Sequence, residues 1–144
     1  MNTKTIVITG GTKGIGFGLA LEFARKGHKV LINGRSKESL DHALHKLKEI
    51  NKSIVGIQGS VDQESTYNSI IKECVLKFGG IDIWINNAGI PQPSKQFTSI
   101  SSITTKQIFD INIFGSILGT QLATRFMIDQ SYGKIFNMEG FGSD

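Results

Sequence analysis

The sequence predicts an α/β protein in which helices cover both faces of a parallel sheet. Two observations predict it. Short β-branched runs alternate with longer stretches whose apolar residues recur at helical spacing, the pattern of strands joined by crossover helices. The run Ile81–Ile85 is also nearly all apolar, as a strand covered on both faces must be. The expected arrangement is a doubly wound, three-layer α/β/α sheet in one domain, residues 1–144.

Each element follows in order. Thr5–Thr9 is the first strand. From Gly14 to Lys26, Ile15, Leu19 and Phe23 recur at helical spacing, and Gly16, Ala20 and Ala24 make a small-residue face suited to close packing on a sheet. Gly27 stops this helix, and Lys29–Asn33 is the second strand. Ser36 caps a second helix, with Ser39 rather than an acid three residues on, so no capping box forms. Leu40, Leu44 and Leu47 stripe that helix, and Ser53–Gln58 is the third strand. Ile70, Ile71, Cys74, Val75 and Phe78 stripe a third helix, ended by Gly79-Gly80 before the fourth strand, Ile81–Ile85. A polar loop with both prolines, Pro91 and Pro93, runs to about Ser102. A long helix then covers roughly Thr104 to Gln130, and Gly133–Met138 is the fifth strand. No internal repeat, linker or low-complexity segment interrupts this order.

Composition narrows the function classes. With 144 residues, 39% hydrophobic and 19% charged, the chain is an ordinary globular domain with a real core. No apolar stretch approaches the roughly 20 residues of a membrane-spanning helix. Met1-Asn2-Thr3-Lys4 leads straight into a strand, so no signal peptide is read. The lone cysteine, Cys74, excludes an internal disulfide and fits a reducing compartment, so a cytoplasmic location is expected. The formal charge is +4, but the lysines are spread out. The basic run His42–Lys48 reads as the wet face of an amphipathic helix rather than a nucleic-acid patch. A positive field also favours a phosphorylated ligand. His42 and His45 lack a third ligand nearby, so no metal site is expected, and His28 reads as surface. Cys74 and Trp84 read as core. Phe114 and Phe126 fall at helical spacings, as core or an oligomer face.

The chemistry starts at the turn Thr9-Gly10-Gly11-Thr12-Lys13-Gly14-Ile15-Gly16. Glycines here accept unusual backbone angles and let a pyrophosphate approach the main chain. The helix start offers free N–H groups and a positive dipole end to that anion. A glycine cluster alone is a weak signal. After a first strand and before a small-faced helix it points to a Rossmann-type dinucleotide site, and the bland alternative is a turn that merely packs helix on sheet. The second strand ends Ile32-Asn33-Gly34-Arg35-Ser36, without the acid that NAD sites usually carry. Arg35 can pair with a 2′-phosphate and Lys13 can reach the same group. NADP(H) is therefore expected over NAD(H), against the alternative of two exposed surface cations. An adenosyl-methionine-dependent transferase would want an acid at the same place, and Asn33-Gly34-Arg35 argues against it.

These residues resemble the short-chain dehydrogenase/reductase family. Its turn Thr-Gly-x-x-x-Gly-Ile-Gly is matched by Thr9–Gly16, and its Asn-Asn-Ala-Gly by Asn86-Asn87-Ala88-Gly89 at the expected separation. The resemblance covers the whole chain but only the front part of the family fold, so the sheet is expected to be C-terminally incomplete. It implies hydride transfer between NADP(H) and a small-molecule carbonyl or alcohol. Gly10, Thr12, Gly14, Ile15 and Gly16 would lie on the pyrophosphate side. Lys13 and Arg35 would hold the 2′-phosphate, and Asn87, Ala88 and Gly89 the ribose side. It also implies a homodimer or larger homo-oligomer paired through the long helix. In the segment Ile111-Asn112-Ile113, Asn112 would hold a water in a proton relay. A lone Asn between isoleucines can equally kink a helix by bonding to backbone.

Three departures qualify the resemblance. The family usually has an Asp before Val61, to bond the adenine amino group. Here Ser60 stands there, able to accept a hydrogen bond, so Ser60 and Val61 would lie on the cofactor, with Asp62 two positions past Ser60. After the fifth strand the family reads Asn-Ile-Ser-Ser, and this chain reads Asn137-Met138-Glu139-Gly140-Phe141-Gly142-Ser143. Strict register puts Gly140 at the catalytic Ser position, and a bulge would let Ser143 replace it. Glu139 is open between catalytic acid, surface group and helper of Ser143. The segment is similar to that of chlorophyll b reductases, which points to a pigment-like or other large carbonyl. Last, the family's Tyr-x-x-x-Lys pair, a proton donor and the cation that lowers its pKa, does not occur: Ile71 and Phe136 follow Tyr67 and Tyr132 at four positions. A truncated gene product or a fragment is expected rather than a minimal domain. The alternative function is a non-catalytic NADP(H)-binding module or redox sensor.

Overall fold

A computed structural model describes residues 2–139. Five strands, β1 (Thr5–Ile8), β2 (Lys29–Gly34), β3 (Ile54–Gln58), β4 (Ile83–Asn86) and β5 (Lys134–Asn137), form one sheet in the order β3-β2-β1-β4-β5. Every pairing is parallel; Val7 sits beside Leu31 on one side and Trp84 on the other. The strand order turns around between β1 and β4, where a doubly wound sheet opens its ligand crevice.

Alternation along the strands feeds two core layers. Ile6, Ile8, Val30, Ile32 and Ile85 pack against α1 (Gly14–Arg25) and α2 (Lys37–Ile50) through Ala20, Ala24, Leu40, Ala43 and Leu47. Val7, Leu31 and Trp84 face the other layer, where α3 (Glu64–Phe78) and α5 (Gly115–Gln130) supply Tyr67, Ile70, Cys74, Leu118, Leu122 and Met127. The small-residue face read from α1 is the buried one: Gly16, Ala20 and Ala24. Gly27 and Gly79 follow α1 and α3 at φ of +76° and +86°, a region glycine enters without steric cost. Ser36 caps α2 by accepting from the Ser39 amide at 3.3 Å.

Two elements differ from expectation. The long helix begins earlier, at Ser102, because the Ser101 hydroxyl accepts from the Thr104 amide at 3.1 Å. It is also not uniform. After α4 (Ser102–Phe109) comes one π-helical turn, Asp110–Phe114, before α5. No side-chain period announces an extra residue in a turn. On α3, Val75 is 44% exposed and Tyr67 is buried in the core stripe instead. The Tyr67 hydroxyl reconciles its polarity with burial by donating to the Gly115 carbonyl at 2.6 Å.

Cys74 is fully buried, and burial, helped by the Glu73 charge, pushes its thiol up to about 12. It is a core residue and not a nucleophile. His42 and His45 lie on the exposed side of α2. Among the described residues no helix is long and apolar enough to cross a membrane. Along the α4–α5 stretch Ile103, Ile113, Phe114, Ile117 and Ile128 stay exposed.

At the base of the sheet Asp82 ties the start of β1 to β4. Its carboxylate accepts from the Thr5 amide at 2.8 Å and from Lys4 Nζ at 2.9 Å. Burial works to raise its pKa, but those two hydrogen bonds and the Lys4 and His28 charges outweigh it, and the group lies below its usual value. A depressed carboxyl stabilises the fold above its unfolded pKa, and that contribution disappears as pH falls through the folded value. Asp82→Asn is therefore expected to lower the urea midpoint at pH 7 and to flatten its decline below about pH 4. Equal pH slopes for the two proteins would contradict this.

Candidate functional site

The carboxyl ends of β1 and β4 meet at a buried threonine. Thr9 Oγ1 accepts from the amides of Asn87 at 3.0 Å and Ala88 at 3.1 Å. Asn87 returns the bond: its Nδ2 donates to the carbonyls of Thr9 at 3.0 Å and Gly10 at 3.2 Å. The two loops, Gly10–Gly16 and Asn86–Gly89, are thus stapled into one unit. Gly10 takes φ +64°, and a side chain there would meet Ala88 Cα at 2.7 Å, so this approach needs glycine.

Above the staple the turn is open. Gly14 has φ +55°, and a Cβ on it would meet nothing within 4 Å. The first helical bond of α1 runs from the Phe17 amide to the Lys13 carbonyl, and no side chain caps the helix. The preceding amides have no intrahelical acceptor and point at this space. Open room, a close backbone approach and unused N–H groups fit a pyrophosphate.

The space is a cleft of about 320 Å³, within the range of small-molecule sites. It is lined by Gly10, Thr12, Lys13, Gly14, Ile15, Gly16, Arg35, Val61, Asn87, Ala88 and Gly89, with Asn33, Gly34, Ile90, Pro91 and Ile111. Eleven of the twelve residues expected at a cofactor therefore share one cleft. Ser60, the twelfth, lies in an adjoining recess of about 190 Å³ with Arg35, Asp62, Gln107, Asp110 and Ile111. A third hollow joins Lys13 and Arg35 to Thr12, Ser36 and Ser39. Ser36 caps α2 and lines this hollow at once. Asn33, on the cleft lining, also fixes the edge between β2 and β3: its Nδ2 donates to the carbonyls of Ile57 at 3.1 Å and Gly59 at 3.0 Å.

Asn112 lies in the π turn, but its side chain does not bond its own helix. Its Oδ1 accepts from the Ile90 amide at 2.8 Å and its Nδ2 donates to the Ile90 carbonyl at 2.9 Å. It clamps the loop that follows Gly89, and the kink reading by side-chain bonding is replaced by this contact. A π turn is a feature frequent at functional sites, and from this one Asn112 reaches Ile90, which lines the cleft. Ser143 and Gly140 lie outside the described residues. Glu139 is exposed.

Two groups have surroundings that the sequence does not show. Asn86 is buried, accepts from Trp84 Nε1 at 2.8 Å and donates to Thr120 Oγ1 at 3.0 Å and Asn137 Oδ1 at 2.8 Å. Asp62 holds an oxygen, Oδ1, that is shielded from solvent and has no partner among the described residues. An unpaired buried acceptor costs about 1–3 kcal/mol. Tyr67 nearby is pushed well above the usual phenol range, first by burial and then by the Asp62 charge.

Known proteins share this architecture. The family model for short chain dehydrogenases matches residues 4–141. The chain is 35% identical to a probable chlorophyll(ide) b reductase of Arabidopsis thaliana over 97% of its own length and 32% of that protein's. It is 33% identical to a 3alpha-hydroxysteroid dehydrogenase of Mediterraneibacter gnavus, over 95% of this chain and 55% of that one. A crystal structure of a short chain dehydrogenase from Bacillus anthracis superposes with a TM-score of 0.85 at 32% identity, covering 94% of this chain and 56% of that one. The structure of ElxO with NADP bound superposes with a TM-score of 0.83 at 33% identity, over 94% and 55%. The chain thus spans about half or less of the length of these relatives. A glycine turn and an Asn-Asn-Ala-Gly loop stapled at one cleft, a matching family model and relatives above 30% identity lead to one conclusion: the chain belongs to the short chain dehydrogenase family.

Proposed function

We propose that the cleft binds NADP(H) and that the chain is the cofactor-binding part of an oxidoreductase acting on a carbonyl or alcohol. One observation carries this reading: Lys13 and Arg35 line one hollow at the end of β2, where no acid stands. Two cations at that place suit a 2′-phosphate and disfavour nothing about NADP(H), whereas an NAD site would want a carboxylate for the ribose hydroxyls. The superposed ElxO carries NADP at the same family fold, which supports the assignment. Gly10, Thr12, Gly14, Ile15 and Gly16 hold the pyrophosphate through backbone N–H groups. Asn87, Ala88 and Gly89 pack on the ribose side. The bound nicotinamide would supply two-electron redox chemistry, and the protein's part is to hold it and exclude water. Asn112, through Ile90, fixes the wall on which a water relay would be built, and Ser143 is the proposed substrate-polarising hydroxyl.

The test separates phosphate recognition from general binding. Arg35→Gln is expected to raise the Kd for NADPH roughly tenfold to a hundredfold, the worth of a charge-assisted bond, and to leave NADH binding within about twofold. An equal loss for both dinucleotides would sink the 2′-phosphate assignment. A non-catalytic cofactor-binding module is the second reading. NADPH consumption with a panel of aldehydes and ketones decides between them. Tight binding without turnover favours the module.

A further inference from the structure

Lysines far apart in the sequence meet at the end of the sheet opposite the cleft. All five strands are parallel, so they begin together at this end, over a width of about 20 Å. The Lys29 amide donates to the Lys4 carbonyl at 2.9 Å, and the Lys134 amide to the Asp82 carbonyl at 3.0 Å. The helices end here too. Asn51 Nδ2 donates to the carbonyls of Ala24 at 3.3 Å and His28 at 2.8 Å, joining the ends of α1 and α2. Lys29 Nζ donates to the carbonyl of Phe78, the last residue of α3, at 3.3 Å, and Gln130, the last of α5, donates to the Ile81 carbonyl at 2.6 Å. Eight of the sixteen Lys and Arg stand in these strand starts, last helical turns and links, against four acids among the described residues. That excess is as large as the formal charge of the whole chain, +4. Two of the acids are taken up by Lys4 and Lys26, and a third, Glu49, by His45. Arg25, Lys48, Lys52, Lys77 and Lys134 are exposed without a carboxylate partner among the described residues. Aliphatic side chains stand among them: Leu76 is 68% exposed, Ile128 is 69% exposed, and Ile50 is also exposed.

We propose that this end of the protein is an adsorption face for an anionic lipid surface. The five free cations sit on the headgroups, and Ile50, Leu76 and Ile128 dip between them. A headgroup layer takes both kinds of side chain at once. A nucleic-acid strand would use the cations, but it holds its bases on aromatic rings. Tyr132 is the one exposed aromatic ring at this end among the described residues, and Phe78 is half-buried beneath Lys29 Nζ. Adsorption needs no spanning helix. Each cation near an anionic surface strengthens binding roughly fivefold, so several together hold a protein that none would hold alone. The cleft lies at the far end of the sheet and stays turned to water, so the proposal stands apart from the cofactor reading.

The experiment is sedimentation of the 144-residue chain with vesicles of phosphatidylcholine, alone or with about one third phosphatidylserine. At about 0.1 M salt the chain is expected to bind the mixed vesicles roughly tenfold or more tightly than the neutral ones, and to come off at about 0.5 M. Lys48→Glu/Lys52→Glu and Lys77→Glu/Lys134→Glu are each expected to weaken that binding by roughly tenfold or more. Lys37→Glu/Lys95→Glu changes the net charge equally at the cleft end and is expected to bind within about twofold of the original. Leu76→Ser/Ile128→Ser is expected to weaken binding by roughly threefold or more at either salt. Equal binding of the two kinds of vesicle by the unaltered chain overturns the proposal, and that comparison needs no variant to fold. A loss in Lys37→Glu/Lys95→Glu as large as in the other charge reversals also overturns it, since net charge rather than this face would then decide. So does binding indifferent to Leu76→Ser/Ile128→Ser. A single-stranded oligonucleotide held tenfold more tightly than the mixed vesicles overturns it in favour of a nucleic-acid partner.

Discussion

Replacing Gly16 by alanine is expected to raise the Kd for NADPH by about a hundredfold or more, the equivalent of about 3 kcal/mol. A Cβ at that position would run into Asn87 Nδ2 and meet the Gly10 carbonyl oxygen at 2.5 Å. Neither neighbour can give way cheaply. Asn87 Nδ2 is committed to the Thr9 and Gly10 carbonyls, and Gly10 is itself pinned against Ala88. One methyl group therefore spreads the two loops that Thr9 and Asn87 hold together. Gly18→Ala is the control. It lies in the same helix with nothing within 4 Å of its added Cβ, and it is expected to bind NADPH normally and to gain about 0.5–1 kcal/mol of helix stability. Fluorescence titration and urea midpoints read both. A Gly16→Ala protein that binds NADPH within threefold of the original would show that the close approach is not what shapes the site.

How much of this was legible from sequence follows the range of the physics involved. Strand and helix order came through because each signal is local: β-branched runs, the Leu40, Leu44, Leu47 stripe, and glycines after helices. The Gly10–Gly16 turn was legible for the same reason, since its constraint is backbone conformation within a few residues. The cleft residues of the second loop, Asn87 to Gly89, needed the family likeness, because nothing local says that β4 lies beside β1. The π turn at Asp110–Phe114 was hidden. It depends on Asn112 reaching the Ile90 backbone across 22 positions of chain, a contact without a periodic signature. Tyr67 was missed for a related reason. Its hydroxyl looks polar until the Gly115 carbonyl 48 positions away satisfies it. Asp62 stands out in the sequence only by lying two positions past Ser60, and its missing hydrogen bond is a property only of the folded surroundings.

Asn86 carries the second large effect. It sits at the end of β4 with 2% exposure, and every polar atom of its side chain is used. Its Oδ1 accepts from Trp84 Nε1, and its Nδ2 faces the Ser116 carbonyl at 3.3 Å, Thr120 Oγ1 and Asn137 Oδ1. One amide thus joins the strand that leads into the Asn87–Gly89 loop, the neighbouring strand β5 and helix α5. Asn86→Ala strands the indole N–H of a fully buried tryptophan and opens a small void. The expected loss is about 2–4 kcal/mol, a large part of the 5–15 kcal/mol typical of a domain. Trp84→Phe separates the causes, because it removes the donor along with the ring nitrogen. If the stranded N–H dominates, the double variant Trp84→Phe/Asn86→Ala loses at least about 1 kcal/mol less than the sum of the single losses. If the links to Thr120 and Asn137 dominate, the losses add. Either result still requires Asn86→Ala to destabilise strongly in urea unfolding. A loss under about 0.5 kcal/mol, the scale of ordinary surface substitutions, would mean that β4, β5 and α5 are held together by apolar packing alone and that the amide merely fills space between them.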